Sequence, residues 1–152
     1  MKRTYNSLLK VFLGCFFLFN TQLFAQRLET SKLTNEWQLL KQEQGIKFYV
    51  KQQDAVIFEG KKPFNYAIMK VENTTSKDAK LLYNFAVYYN EGCVACGESQ
   101  EARKLIEVGA GQSVTGTYDS GNCPTSVLLY NPNNAMSWKP QFIQIENLII
   151  NY

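Results

Sequence analysis

With 152 residues, 45% of them hydrophobic and 14% aromatic, the chain has enough apolar material for one buried core and is not a disordered tail. Its 16 Lys and Arg exceed its 13 Asp and Glu, but residues 1–25 hold three of the basic residues and no acidic one, so the remainder balances at 13 of each. No basic run beyond Lys61-Lys62 is then left, no nucleic-acid partner is expected, and the absence of histidine removes the commonest general base and the Ser-His and Cys-His dyads.

The chain opens with Lys2, Arg3 and Lys10, an apolar run from Val11 to Phe19, a polar Asn20-Thr21-Gln22 and then Leu23-Phe24-Ala25-Gln26. That is the layout of a secretory signal peptide cut after Ala25, which predicts export to the periplasm, the outer surface or the medium. The apolar run is about half of the ~20 residues a membrane anchor needs, so the mature form is expected to lack a transmembrane anchor. Leu13-Gly14-Cys15 has the look of a lipobox, but acylation there would cut the apolar region in its middle. Removing 25 of the 152 residues leaves 127, a length suited to a single domain over 26–152.

Beyond the leader, Leu33, Trp37 and Leu40 sit at helical spacing. Trp37 and Leu39 also alternate as in a strand, and Gly45 followed by Ile46, Phe48 and Val50 reads as a hairpin return. Two strands after a helical turn are expected there. Residues 64–71 alternate through Phe64, Tyr66 and Ile68, and Asn73 to Asp78 supplies a turn. Residues 79–89 then place Ala79, Leu81, Tyr83, Phe85, Val87 and Tyr89 on one face, which predicts an antiparallel hairpin with the preceding strand. Short strands follow at 105–108, at 113–119 with Val114 and Tyr118 on one face, and at 126–130. A β-rich run over 142–150 closes the series, with Gly109-Ala110-Gly111, Ser120-Gly121-Asn122 and Pro132-Asn133-Asn134 between them. Short strands with turn residues at near-regular intervals predict an all-β, antiparallel β-sandwich.

Two stretches carry a resemblance. Val71-Glu72-Asn73-Thr74-Thr75 looks like the V-x-N-x-T strand end of bacterial immunoglobulin-like and fibronectin-III-like domains, and Leu105 to Ser113 is similar to their L-x-x-G-Q-S turn, with Ala110 where proline is common. The resemblance covers about residues 64–152 and implies an immunoglobulin-like β-sandwich, an architecture without an attached activity. Separately, Trp37 to Val50 is similar to the opening of START lipid-binding domains; those close their cavity with a long C-terminal helix, whereas this chain ends in a β pattern.

Three cysteines follow the leader: Cys93, Cys96 and Cys123. In an oxidising compartment an odd number allows one internal disulfide and one leftover thiol, which could instead link two chains. A meander of strands 79–89, 103–108 and 113–119 would bring the three sulfurs to one end. A bridge from Cys93 or Cys96 to Cys123 would then close a loop of about 30 residues, worth ~3 to 4 kcal/mol by chain entropy. Cys93-Val94-Ala95-Cys96 also resembles a thioredoxin-type site if residues 98–105 form a helix. A zinc site would need a fourth ligand that the sequence does not offer, and no metal or cofactor is expected.

Catalysis has little to build on. Asp54, Asp78 and Asp119 are scattered, and Glu98 and Glu101 read as a solvated face. The expectation is a non-catalytic interaction or structural module that contacts another envelope or surface protein. The rival is a glycan- or small-ligand-binding module, with Tyr88, Tyr89, Tyr130 and Trp138 as an aromatic platform beside Pro132-Asn133-Asn134.

Overall fold

Among the described residues, ten strands form two antiparallel five-stranded sheets packed face to face, an all-β sandwich. The computed structural model describes residues 27–152 apart from 57, 58, 60, 61, 98, 99, 101, 119–123 and 133–137. The expected signal peptide and Cys15 lie outside the described residues. Among the described residues no helix is long and apolar enough to cross a membrane.

The first sheet holds β1 (Leu28–Glu29), β10 (Pro140–Asn151), β5 (Ala79–Tyr89), β6 (Gly92–Val94) and β7 (Arg103–Val108), with β6 and β7 both pairing with β5. The second holds β2 (Gln38–Glu43), β3 (Ile46–Ala55), β4 (Phe64–Asn73), β8 (Ser113–Thr115) and β9 (Ser126–Tyr130), with β8 and β9 both pairing with β4. A 3-10 turn at Thr30–Lys32 precedes β2, so two strands follow one helical turn, but the turn ends before Leu33 and the helical spacing of Leu33, Trp37 and Leu40 has no helix behind it. The hairpin between β2 and β3 turns at Gln44-Gly45, both at positive φ (47° and 81°), the backbone of a two-residue loop that matches strand twist.

The core is the alternation made physical. Ile46, Phe48 and Val50 of β3 and Ala67, Met69 and Val71 of β4 face Leu81, Tyr83, Phe85 and Val87 of β5 and Ile143 and Ile145 of β10, all essentially without solvent exposure. Phe48 and Tyr83 meet edge to face across the layers, with ring centroids 5.5 Å apart at 67°. A second, smaller cluster lies on the outer side of the second sheet, where Trp37 covers Ala55, Phe64, Tyr66 and Ile68. The ammonium groups of Lys51 and Lys70 stand 5.0 and 5.8 Å from the Trp37 ring centre.

Two expected pairings differ from the observed ones. Strands β4 and β5 do not form a hairpin: residues 74–78 arch from one sheet to the other, which lets the apolar faces of both strands oppose each other instead of lying side by side. The side chain of Asn73, fully buried, holds this arch. Its Nδ2 donates to the carbonyls of Lys77 (2.7 Å), Val108 (3.1 Å) and Gly109 (3.2 Å), and its Oδ1 accepts from the amide (3.0 Å) and hydroxyl (2.7 Å) of Thr75. Strand β8 is likewise not the third member of a meander. It ends at Thr115 and crosses to pair with β4 through Val71↔Val114, so the expected strand to residue 119 is cut short. The strand gives way where β4 changes partner: the Gly116 amide donates to the Met69 carbonyl while the Met69 amide donates to the Thr125 carbonyl, and a Cβ on Gly116 would sit 2.4 Å from Thr125 Oγ1.

Candidate functional site

At one end of the sandwich, the last residue of β5, the short β6, the end of β9 and the chain leading into β10 surround a cleft of about 120 Å³. Its walls are Tyr89, Val94, Leu128, Leu129, Tyr130, Asn131 and Trp138. Tyr89 is set by β5, whose odd positions point inward; at the sheet's end it emerges from the core, and its ring lies 5.8 Å from that of Trp138 at 49°. Its hydroxyl donates to the Leu128 carbonyl (3.0 Å), and burial pushes its pKa above the usual phenol value. Leu128 and Tyr130 stay substantially exposed on either side of the buried Leu129, with Val127 packed on the core, and the pairing with β4 shifts register here, from Tyr66↔Leu128 to Asn65↔Tyr130.

Three of the four aromatic residues singled out from the sequence therefore share one site. Tyr88 does not belong to it, because successive residues of a strand point to opposite faces. It lies on the outer face of the first sheet, stacked on Phe142 at 4.4 Å and 13°, with the Arg27 guanidinium 4.6 Å from the Phe142 ring centre. Its hydroxyl donates to Glu146, which also accepts from Gln144 Nε2 and from the Gly97 amide (2.8 Å). Burial pushes the Glu146 carboxyl up, but the three donors outweigh it and hold the group below its ordinary range. The same bond with Glu146, followed by burial, raises the Tyr88 phenol. The Gly97 carbonyl accepts in turn from Asn84 (3.3 Å) and Asn147. The loop after β6 thus folds over the outer face of the first sheet, which is why Asn84 and Ala86 on that face are buried.

The disulfide joins Cys93 to Cys96, with Cα atoms 5.9 Å apart, and not either of them to Cys123. Strand β6 turns back on β5 through Tyr88↔Cys93, and Ala95 at φ 58° reverses the chain so that the two sulfurs meet within one tight turn. Cys123 lies outside the described residues, as do Asn133 and Asn134 of the expected polar loop. Bridged to each other, Cys93 and Cys96 are not thiolate ligands, and among the described residues no group of three metal-ligating side chains is found. Of the residues 98–105, where a thioredoxin-type site needs a helix, 103–105 belong to β7, and 98, 99 and 101 lie outside the described residues.

Val94, Leu128, Leu129 and Asn131 were not foreseen as site residues. The signal for Leu128 is the unbroken Val127-Leu128-Leu129-Tyr130 run, apolar on both strand faces where the neighbouring strands alternate. No family model, curated protein or solved structure matches this chain.

Proposed function

We propose that this chain is an exported, non-catalytic recognition module of immunoglobulin-like build, which binds another component of the envelope or cell surface through the cleft at the β6/β9 end. The reading is carried by one observation: apolar and aromatic side chains from three strands and one loop converge there and remain open to solvent, where isolated exposed hydrophobics would need no explanation. The chain's alternation between layers supports the immunoglobulin-like build: β4 in one sheet, β5 and β7 in the other, β8 and β9 back beside β4, then β10 back beside β5. A glycan platform is the weaker alternative, because the Tyr89 and Trp138 rings are tilted and Tyr88 lies elsewhere.

Site-specific photo-crosslinking in the producing cells tests the proposal. A benzophenone amino acid at position 130 or 94 is expected to trap a discrete adduct that the same probe at Lys47, on the outer face of the second sheet, does not. Equal patterns from all three positions would remove the cleft from consideration.

A further inference from the structure

The outer face of the second sheet gathers positive charge around two rings. Tyr49 of β3 lies opposite Lys70 of β4 and Lys51 opposite Ile68, and the chain entering β2 packs Trp37 over Ile68. The Lys70 ammonium stands 4.6 Å from the Tyr49 ring centre and 5.8 Å from that of Trp37, and the Lys51 ammonium stands 5.0 Å from the same Trp37 ring. Ring faces attract cations without neutralising them. Among the described residues Lys32, Lys41 and Lys80 have carboxylate partners, whereas Lys51 and Lys70 make no ion pair. Two like charges held half-buried beside one ring repel each other, and an anion placed between them relieves both. The next row, Lys47 opposite Glu72, carries a carboxylate of its own, so the uncompensated charge ends there.

Lys51 also borders a groove of about 410 Å³, whose other walls are Asn35, Gln52, Gln53 and Asp54. The volume is that of a small-ligand site, but the walls are amides and charges with no apolar side chain among them. A side-chain amide both donates and accepts, which matches the hydroxyl groups of a sugar and offers nothing to an acyl chain. Asp54, which accepts from Asn65 Nδ2 (2.6 Å), repels a second acid group at that end, so a polyphosphate, a polysulfated chain or a nucleic-acid strand is disfavoured. We propose that Trp37, Lys51 and Lys70 form the acid-binding end of a site for a uronate sugar. Its carboxylate lies beside the two ammonium groups, and its hydroxyls meet the amides of Asn35, Gln52 and Gln53. The site shares no residue with the cleft at the β6/β9 end, and neither reading depends on the other.

The test follows the Trp37 indole NMR signal, the one that survives in Trp138→Phe, through titrations at low salt. The probes are methyl β-D-glucuronide, methyl β-D-glucoside, acetate, the peptide acetyl-Gly-Glu-Gly-amide and phosphatidylglycerol vesicles. The glucuronide is expected to saturate with a Kd on the order of millimolar, about tenfold tighter than the glucoside or acetate. Raising NaCl from about 0.05 to about 0.5 M should weaken it. At least fivefold weakening is expected in Lys51→Gln and in Lys70→Gln, which shorten neither strand and should leave the melting temperature unchanged, and none in Tyr130→Ala. A glucoside that binds as tightly as the glucuronide refutes recognition of the acid, and acetate that does so refutes recognition of the sugar. Tighter binding of the Glu peptide or the vesicles assigns the lysines to another class of ligand and overturns the proposal, as does the absence of saturation by any probe. Each of these failures leaves the recognition cleft standing.

Discussion

Replacing Asn73 by alanine removes a buried side chain that ties the end of β4, the start of β5 and the end of β7 together. Two Nδ2 protons are shared among the carbonyls of Lys77, Val108 and Gly109, and Oδ1 takes two donors from Thr75. That amounts to about four hydrogen bonds. At a net ~1 kcal/mol each, and with water able to reach the partly exposed Thr75 and Lys77 groups, the loss should be about 3 kcal/mol. Stability of domains this size is roughly 5–15 kcal/mol, so the change is large, and at about 4 °C per kcal/mol it lowers the melting temperature by about 12 °C. Urea unfolding should show a shifted midpoint with the slope unchanged, since the same surface is exposed. Asn65→Ala is the control: Asn65 bonds Asp54 at an exposed site (2.6 Å), and its loss should cost less than about 0.5 kcal/mol. A loss below about 1 kcal/mol for Asn73→Ala would refute the view that a side chain, and not the backbone alone, fixes the crossing between sheets.

Removing the disulfide through Cys93→Ser with Cys96→Ser frees a loop of four residues, for which chain entropy gives about 2 kcal/mol; denaturant melts of oxidised protein check this, and a thiol count on the unfolded, unreduced mature form should find one reactive thiol, Cys123. The Glu146 carboxyl is held below its ordinary value in the folded chain, so its contribution is in place above the unfolded pKa and is lost as pH falls through the folded value; melting curves across this acid range should flatten in Glu146→Gln. Tyr83→Phe removes a hydroxyl that donates to the Pro124 carbonyl (2.8 Å) at a ring with no solvent exposure, and should cost about 1 kcal/mol in a urea melt. Gly45→Ala places a Cβ 2.5 Å from Thr75 Cγ2 at φ 81°, so it should destabilise by roughly 1 kcal/mol or more, whereas an alanine at Gly111, where a Cβ meets nothing within 4 Å, should bear only the cost of its positive φ.

What could be read from the sequence was the strand content. The alternation in residues 79–89 marks β5 from first residue to last, because a half-buried strand writes a period of two directly into the chain, and the short β-rich segment 126–130 coincides with β9. Sheet membership was not legible. A polar run such as Asn73 to Asp78 serves a hairpin or a crossing equally well, and the choice depends on contacts with Val108 and Gly109, more than 30 residues away. The site was half legible for a related reason: aromatic side chains advertise themselves, but whether Tyr88 or Tyr89 joins Tyr130 is a matter of strand parity relative to a core not yet located. The disulfide was misassigned because it depended on the meander, and once β8 left for the other sheet the expected gathering of three sulfurs lost its basis.

The two flanks of the sandwich are treated differently by the sequence. On the flank formed by β2 and β10, β2 carries a bulge at Leu40, and its next side chains turn a charged pair toward the interior: Lys41 pairs in register with the buried Phe48 and Glu43 with the buried Ile46, and the two are joined at 3.2 Å. A bulge plus inward-pointing charges is how an edge strand is made unsuitable for pairing with another chain. There β1 takes up the Phe142–Ile143 stretch of β10, and the Tyr152 hydroxyl reaches across to the Gln44 carbonyl, so the flank is closed from both sheets. On the opposite flank β6 and β9 present Val94, Leu128 and Tyr130, and β7 beside β6 adds Leu105 together with Lys104 and Glu107, whereas β2 and β10 leave the single apolar side chains of Leu39 and Ile149 in solvent. Apolar groups exposed beside strand edges invite pairing unless a partner uses them, and the gathering of Val94, Leu128 and Tyr130 at one cleft supports recognition at the β6/β9 end.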